Sequence, residues 1–379
     1  MKNRNAKGGG SVRQREDGTW EARCTINGKR RSFYGERQSD ALKAMRQALA
    51  SADNGTFTEP SKMKVEEWMS IWLEEYIKPS VKPLTYSTYK GRIASHITPA
   101  LGNTKLSALD PPQVQKFYND MLREKNLSPK TIKDVHGILH KALEQAVKVR
   151  YIVYNPTEAC TAPRLVRKEI IPLTETDVEA FLSAIEGHPF QALYTVTLFT
   201  GMREGEVCGL PWDAVDFRNG TITIKQQLCK EKEKGGTHYI DTPKHDKTRV
   251  LTVPDFVLDI LKDIKTKQLQ DHLELGTAFN NEYNLVFTYK DGKFIPPNTM
   301  RRHFKRIVES IGRPEARFHD LRHTYAVNAL QEGDDYKTLQ ENLGHATAAF
   351  TLNVYGHVSD RMKRESANRM QRYFNRVKA

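Results

Sequence analysis

The chain has 379 residues, enough for two or three domains with separate cores, and its 59 Lys and Arg against 46 Asp and Glu give a net charge of +13 and a pI near 9.4. Such an excess favours an anionic partner, either nucleic acid or an acidic membrane surface. No apolar run approaches the ~18 residues of a membrane span and MKNRNAKGGG lacks the apolar centre of a signal peptide; Cys24, Cys160, Cys208 and Cys229 are too scattered for a disulfide framework or a cysteine zinc site, so a soluble protein of the reducing cytoplasm is expected.

From Ser11 the pattern is β. In TWEARCTI, Trp20, Ala22, Cys24 and Ile26 alternate with Thr19, Glu21, Arg23 and Thr25, which gives one buried and one wet face. Asn27-Gly28 is a two-residue hairpin signal leading into KRRSFYG as a third strand. Ser39 is expected to cap a helix whose Leu42, Met45 and Leu49 cover the apolar face. The open face would carry Arg13, Arg15 and Arg23, with further charge from Lys29, Arg30 and Arg31, and a small basic sheet of this kind fits a DNA major groove; an ordinary solvated face is the plainer reading.

Residues 52–61, ADNGTFTEPS, read as a linker, and the pattern beyond it is helical. VEEWMSIWLEEYI repeats its large apolar residues at helical spacing. Asp110 and Ser128 each precede proline and an amphipathic run, the signature of a capped helix start. His136 and His140 stand four apart in the last of these helices, but without carboxylate or cysteine partners they read as surface or packing residues. This helical unit ends near YNPTEACTAPRLVRKE. A third segment begins at LTETDVEAFLSAI, with Thr174 as cap and Asp177 in the capping-box position; helical patterns then dominate, interrupted by the β-rich runs GTITIKQQL and TRVLTVP around a lysine-rich loop. The expected fold is multidomain and mainly α: a three-stranded sheet plus helix over residues 1–56, a helical unit over 62–160, and a mainly helical domain with a small β-sheet over 170–379.

Within the last domain, FHDLRHTYAVNALQEG holds His319 and His323 four apart, the spacing of a zinc-binding H-E-x-x-H helix, with His345 as an imaginable third ligand. Two features oppose zinc: Asp320 is shorter than the usual Glu, and Arg322 would set a permanent cation beside the metal. His319 and Arg322, at i and i+3, share a helix face instead, and an imidazole beside a guanidinium fork suits phosphate oxygens.

The accompanying residues add specificity. LFTGMREGEVCGLPWDAVDF contains Arg203, TPKHDKTRVLTVP contains Lys244, FHDLRHTYA comes next, and ENLGHATAAFTLNVYGHV ends the series with His345 and Tyr355 ten residues apart. This ordered set resembles the catalytic domain of the tyrosine recombinases, the phage-integrase family. The N-terminal basic sheet is similar to the arm-type DNA-binding domain of phage and conjugative-transposon integrases, and the helical middle to their core-binding, SAM-like domain.

The resemblance implies a site-specific recombinase that integrates and excises a mobile element as a homotetramer on core-type and arm-type sites in double-stranded DNA, without metal or other cofactor. It implies Tyr355 as the nucleophile that forms a 3'-phosphotyrosine, and Arg203 and Arg322 as the stabilisers of charge on the phosphorus. His319 and His345 would bind phosphate oxygens, or His319 accept the tyrosine proton. Lys244 would protonate the departing 5'-oxygen, with Lys247 near enough to compete, and Glu206 would support Arg203. Arg13, Arg15, Arg23, Lys29 and Arg31 would contact arm-site DNA. An excisionase and a host DNA-bending protein are the accessory partners the resemblance adds; no membrane is involved. After Tyr355, Met362, Met370, Tyr373 and Val377 fall roughly on one face of a basic helix, which in the family often docks onto a neighbouring subunit and otherwise would pack on its own domain. Two rival readings stand: a type IB topoisomerase, opposed by the arm-like domain, and a DNA-binding regulator without catalysis, opposed by intact Arg203, Lys244, Arg322 and Tyr355.

Overall fold

In the computed structural model the described residues are 10–26, 28–53, 62–165, 171–230, 236–243, 247–344 and 360–378. They fall into two compact units, Met1–Arg167 and Lys168–Ala379.

The first unit opens with an antiparallel sheet of β1 (Ser11–Gln14), β2 (Trp20–Ile26) and β3 (Lys29–Gly35), in that spatial order. The period of two places Ala22, Cys24 and Ile26 on one face, where Ala41 and Met45 of α1 (Gln38–Asp53) close over them and Leu42 and Leu49 pack at the margin. Helix α1 already begins at Gln38, so Ser39 lies inside its first turn rather than at its cap. The pairing Ile26↔Lys29 allows only two residues between the strands, and Gly28 there takes φ +77°, the left-handed geometry such a tight hairpin requires.

The rest of this unit is a helical bundle with its own core of Trp68, Met69, Ile97, Tyr118 and Leu139 among others. Helix α2 (Val65–Ile71) continues to Ile77 in wider turns, and α3 (Pro83–Arg92) continues likewise to Ile97. After α4 (Thr98–Leu101) come α5 (Pro111–Arg123) and α6 (Pro129–Lys148). Asp110 and Ser128 cap the last two as their sequences require, accepting from Gln113 N at 2.9 Å and Thr131 N at 3.2 Å, with proline in each first turn. Trp68 is fully buried and donates Nε1–H to the Ala142 carbonyl at 2.8 Å, so its one polar group is satisfied. His136 meets the Tyr118 hydroxyl at 2.9 Å and His140 the Thr157 hydroxyl at 2.8 Å; both histidines tie helices together.

The second unit starts at α7 (Glu175–Ala184), where Thr174 and Asp177 exchange reciprocal cap bonds. Helices α8 (Gln191–Thr200) and α9 (Glu204–Cys208) come next, then β4 (Val215–Asp216), β5 (Thr221–Ile224), β6 (Gln227–Lys230), β7 (His238–Asp241) and β8 (Arg249–Thr252). The two β-rich runs pair directly, Ile222 opposite Leu251, while β6, which begins at the end of the first run, pairs with β7 from the stretch read as a loop. Helices α10 (Asp255–Leu275), α11 (Pro297–Ser310), α12 (Phe318–Gln331) and α13 (Tyr336–Leu343) complete the body. Phe181, Tyr194, Phe304 and Phe318 meet edge to face or tilted at its centre, with ring centroids 5.6–6.2 Å apart. Ala326, Leu330, Leu339 and Leu343 form a small second core that fixes α13 on α12. A last helix, Asp360–Lys378, leaves Met370, Tyr373, Phe374 and Val377 exposed, between 52 and 67% accessible among the described residues, while the side chain of Met362 lies outside them. Among the described residues no helix is long and apolar enough to cross a membrane.

Candidate active site

Helix α8 ends at Gly201 in the left-handed conformation, φ +63°, and the chain turns through buried Met202 into Arg203, the cap of α9. Glu206, one turn on and 1% exposed, binds Arg203 twice: Oε2 accepts from its backbone N–H at 2.7 Å and Oε1 from Nη1 at 2.7 Å. Arg203 Nη2 donates onward to the Gly344 carbonyl at 3.1 Å. Glu206 also takes both guanidinium nitrogens of Arg249, the first residue of β8, at 2.9 and 2.7 Å. Burial pushes the Glu206 carboxyl upward, but the bonds and charges of Arg249 and Arg203 prevail and hold it at about 2, a permanent carboxylate.

Helix α12 arrives from the other side. Its first turn is closed by Asp320, which accepts from Arg317 N at 2.8 Å and Arg317 Nη2 at 2.9 Å, so the acidic residue of the apparent metal-binding motif is a helix cap. Arg322 is 1% exposed, donating Nη1 to the Gly201 carbonyl at 2.7 Å and Nη2 to that of Leu343. A cation so deeply placed needs such acceptors; unpaired it would be strongly destabilising.

The two guanidiniums therefore converge. Arg322 and Arg203 bind consecutive main-chain carbonyls at the end of α13, where Gly344, φ +60°, reverses the chain, and Arg322 also binds the carbonyl two residues before Arg203. His319 lies exposed beside them, its ring 4.8 Å from that of buried His323 in an edge-on arrangement. The surrounding protein, then the positive charge of Arg322, lowers the His319 pKa, so its imidazole is neutral at pH 7. Burial and the neighbouring His319 take His323 down to about 4.

The structure thus brings Arg203, Glu206, His319 and Arg322 together. Lys244, His345 and Tyr355 lie outside the described residues; β7 ends at Asp241 and β8 begins at Arg249 on either side of Lys244, and Gly344, the last described residue before His345, immediately precedes it. Arg249 was absent from the sequence-based set. Its signal was parity, since it alternates with exposed Val250 and shares a side with buried Leu251 and Val253. A cavity of about 800 Å³ between α8, α10 and residues 286–295 contains none of these side chains, and the chemistry follows the guanidiniums rather than this cavity.

On the N-terminal sheet the register pairs Arg13 with Glu21 and Glu21 with Tyr34, all on the face away from α1. Glu21 is only 2% exposed, gripped by Arg23 Nε and Arg13 Nε at 2.8 Å each; the Arg23 bond is the main cause holding its carboxyl at about 2. Arg15 reaches the Tyr34 ring, its guanidinium carbon 5.5 Å from the centroid. Arg30 opposes Thr25 and shares this open face, whereas Lys29 and Arg31 oppose Ile26 and Cys24 and carry the parity of the covered one.

Comparison with known proteins matches residues 172–362, just over half of the chain, to the model described as the phage integrase family. The chain belongs to that family. Residues 64–122 of this integrase-family protein also match the phage integrase N-terminal SAM-like domain. A tyrosine recombinase XerC-like protein of Caldanaerobacter subterraneus is 29% identical over 92% of the chain and 93% of its own length, and the ICEBs1 integrase of Bacillus subtilis is 26% identical over 76% and 78%. The structure of the Tn1549 transposon integrase in complex with transposon right end DNA superposes with a TM-score of 0.70 at 23% identity, covering 82% of this chain and all of that one, which establishes the shared fold. The protein is a tyrosine site-specific recombinase by family.

Proposed function

We propose that this recombinase integrates and excises a mobile element by cleaving and rejoining DNA through a 3'-phosphotyrosine at Tyr355. The observation that carries the reading is the convergence of Arg203 and Arg322 on the consecutive carbonyls of Leu343 and Gly344, two fixed cations beside the start of the segment that leads to His345 and Tyr355.

Breaking a phosphodiester and remaking it without ATP requires that the bond energy be kept in a covalent link to the protein. Tyr355 attacks the phosphorus, the P–O bond to the 5'-oxygen breaks, and the leaving oxygen takes a proton from Lys244. In the second half-reaction a 5'-hydroxyl from the partner duplex attacks the phosphotyrosine, and the phenol recovers its proton. Negative charge gathers on the non-bridging oxygens in between. Arg203 and Arg322, already oriented, stabilise it with little reorganisation, a contribution on the order of 100 to 1,000 fold in rate for one such group. A phenol with a pKa of about 10 is scarcely ionised at neutral pH, and neutral His319 supplies an acceptor for its proton. His345 binds another phosphate oxygen.

The division of labour is residues 1–56 for arm-type sites, 62–160 for the core site and 170–379 for chemistry. Arg13, Arg15 and Arg23 present charge on the open face of the sheet. Lys29 and Arg31 would reach DNA only from its edge, whereas Arg30 shares the open face. The exposed stripe of Met370, Tyr373, Phe374 and Val377 supports docking on a neighbouring protomer within a tetramer. An excisionase and a host DNA-bending protein complete the assembly.

The test is a nicked suicide substrate carrying a core site. The native chain forms a denaturation-resistant complex and, given a partner duplex, exchanges strands. Tyr355→Phe binds the same DNA and forms none. A covalent adduct retained in that variant would place the nucleophile elsewhere, and religation without exchange would indicate a topoisomerase.

A further inference from the structure

We propose that Arg249 is a positioning residue that cancels the charge of Glu206, so that Glu206 orients Arg203 without consuming its positive charge; the proposal rests on the recombinase reading above.

Three observations carry it. First, the geometry is bidentate and buried. Arg249 Nη1 and Nη2 meet the two Glu206 oxygens at 2.9 and 2.7 Å, with the side chains 9% and 1% exposed, so this pair is little screened by water. Arg203 shares the same carboxylate but is 24% exposed and turned toward the site. Second, the local charge count depends on Arg249. Arg203 and Arg322 with Glu206 alone leave one net positive charge for a phosphate, and adding Arg249 restores two. Third, the guanidinium joins the segments that hold the chemistry. It opens β8, five residues after Lys244 in sequence; it grips α9 through Glu206; and its Nε donates to the Asn342 carbonyl at 2.8 Å in the last turn of α13. A Cβ at Gly344 would stand 3.0 Å from Arg249 Cδ and 3.2 Å from Nη1, so glycine there admits the arginine as well as the left-handed turn.

Arg249 does not offer its fork to the substrate, because both terminal nitrogens face Glu206. Its effect is therefore on the rate of the chemical step rather than on DNA binding. A merely structural brace would lower the melting temperature when removed and regain it when its partner's charge is deleted, while the rate of the chemical step in the folded, DNA-saturated chain stayed near native. A charge-cancelling residue predicts a reversal of sign: Glu206→Gln harms the native chain, which keeps a buried Arg249 facing a neutral amide, but helps a chain whose residue 249 is neutral.

The experiment is a cycle of native, Arg249→Met, Glu206→Gln and the double variant in the full chain. It measures the first-order rate of covalent complex formation on a nicked core-site duplex at saturating DNA, the DNA dissociation constant and the melting temperature. Arg249→Met is expected to slow the chemical step on the order of 100 fold with less than about threefold change in DNA affinity, and the double variant to regain roughly tenfold. Should Arg249→Met not melt cooperatively, Arg249→Gln takes its place, being neutral yet able to donate to Glu206. A double variant no faster than the single one at residue 249, or a single variant at the native rate, overturns the proposal. A native chain that forms no Tyr355-dependent complex would instead overturn the recombinase reading beneath it.

Discussion

Gly201→Ala is the perturbation that probes the site most sharply. At φ +63° an L-residue carries about 1–2 kcal/mol of backbone strain, and the new Cβ would lie 2.5 Å from Tyr325 Cδ1 and 2.9 Å from Leu343 Cδ2, which adds about 1–3 kcal/mol of overpacking. Gly187 is the internal control: its φ is +69° and a Cβ there has nothing within 4 Å, so Gly187→Ala carries the backbone strain alone. For a unit of this size each kcal/mol moves the melting temperature by roughly 2–4 °C, so Gly201→Ala should melt roughly 2–12 °C below Gly187→Ala by scanning calorimetry. The Gly201 carbonyl is an acceptor for Arg322, and the turn aims Arg203, so covalent complex formation should fall on the order of 100 fold in the first variant and remain near native in the second. Equal melting temperatures and equal cleavage rates would refute the argument that this turn is packed against the site.

The folded-state pKa of His323, about 4, lies below its unfolded value near 6.5, so the unfolded chain takes up the proton first. Its contribution to stability is full above pH ~7 and declines as pH falls through 6.5 toward 4, by up to about 3 kcal/mol; the melting temperature of His323→Gln should fall less steeply across that range than that of the native chain. Cleavage should persist in EDTA, and its abolition by chelator with recovery on added zinc would revive a metal-binding role for His319 and His323. Removing residues 1–56 should leave core-site affinity in a gel-shift assay within about threefold while weakening arm-site binding; equal loss at both would contradict a separate arm module.

The caps at Asp110, Ser128 and Thr174 and the alternation of β2 were legible because each depends on neighbours in sequence. Helix α12 was not legible by periodicity. Phe318, Asp320, Leu321, Arg322, His323 and Thr324 are all buried, so no polar stripe marks its outer face, and only the motif revealed it. The charge of Lys29 and Arg31 was visible, but their parity required the hairpin register. Arg249 shows the converse failure: an arginine in a strand reads as solvated until its alternation with Leu251 and Val253 is weighed. Glu21 went the same way, read as a wet residue and found beneath two arginines.

Peptide oxygens of residues 201, 343 and 344 accept from Arg322 and from the outer nitrogen of Arg203. No point substitution can delete a peptide oxygen. Substitution at those three positions therefore reaches the two arginines only through the path of the chain, at Leu343 by way of the small core that seats α13 on α12, and the centre is intolerant of insertions or deletions of even one residue between the end of α8 and Arg203 or at the close of α13.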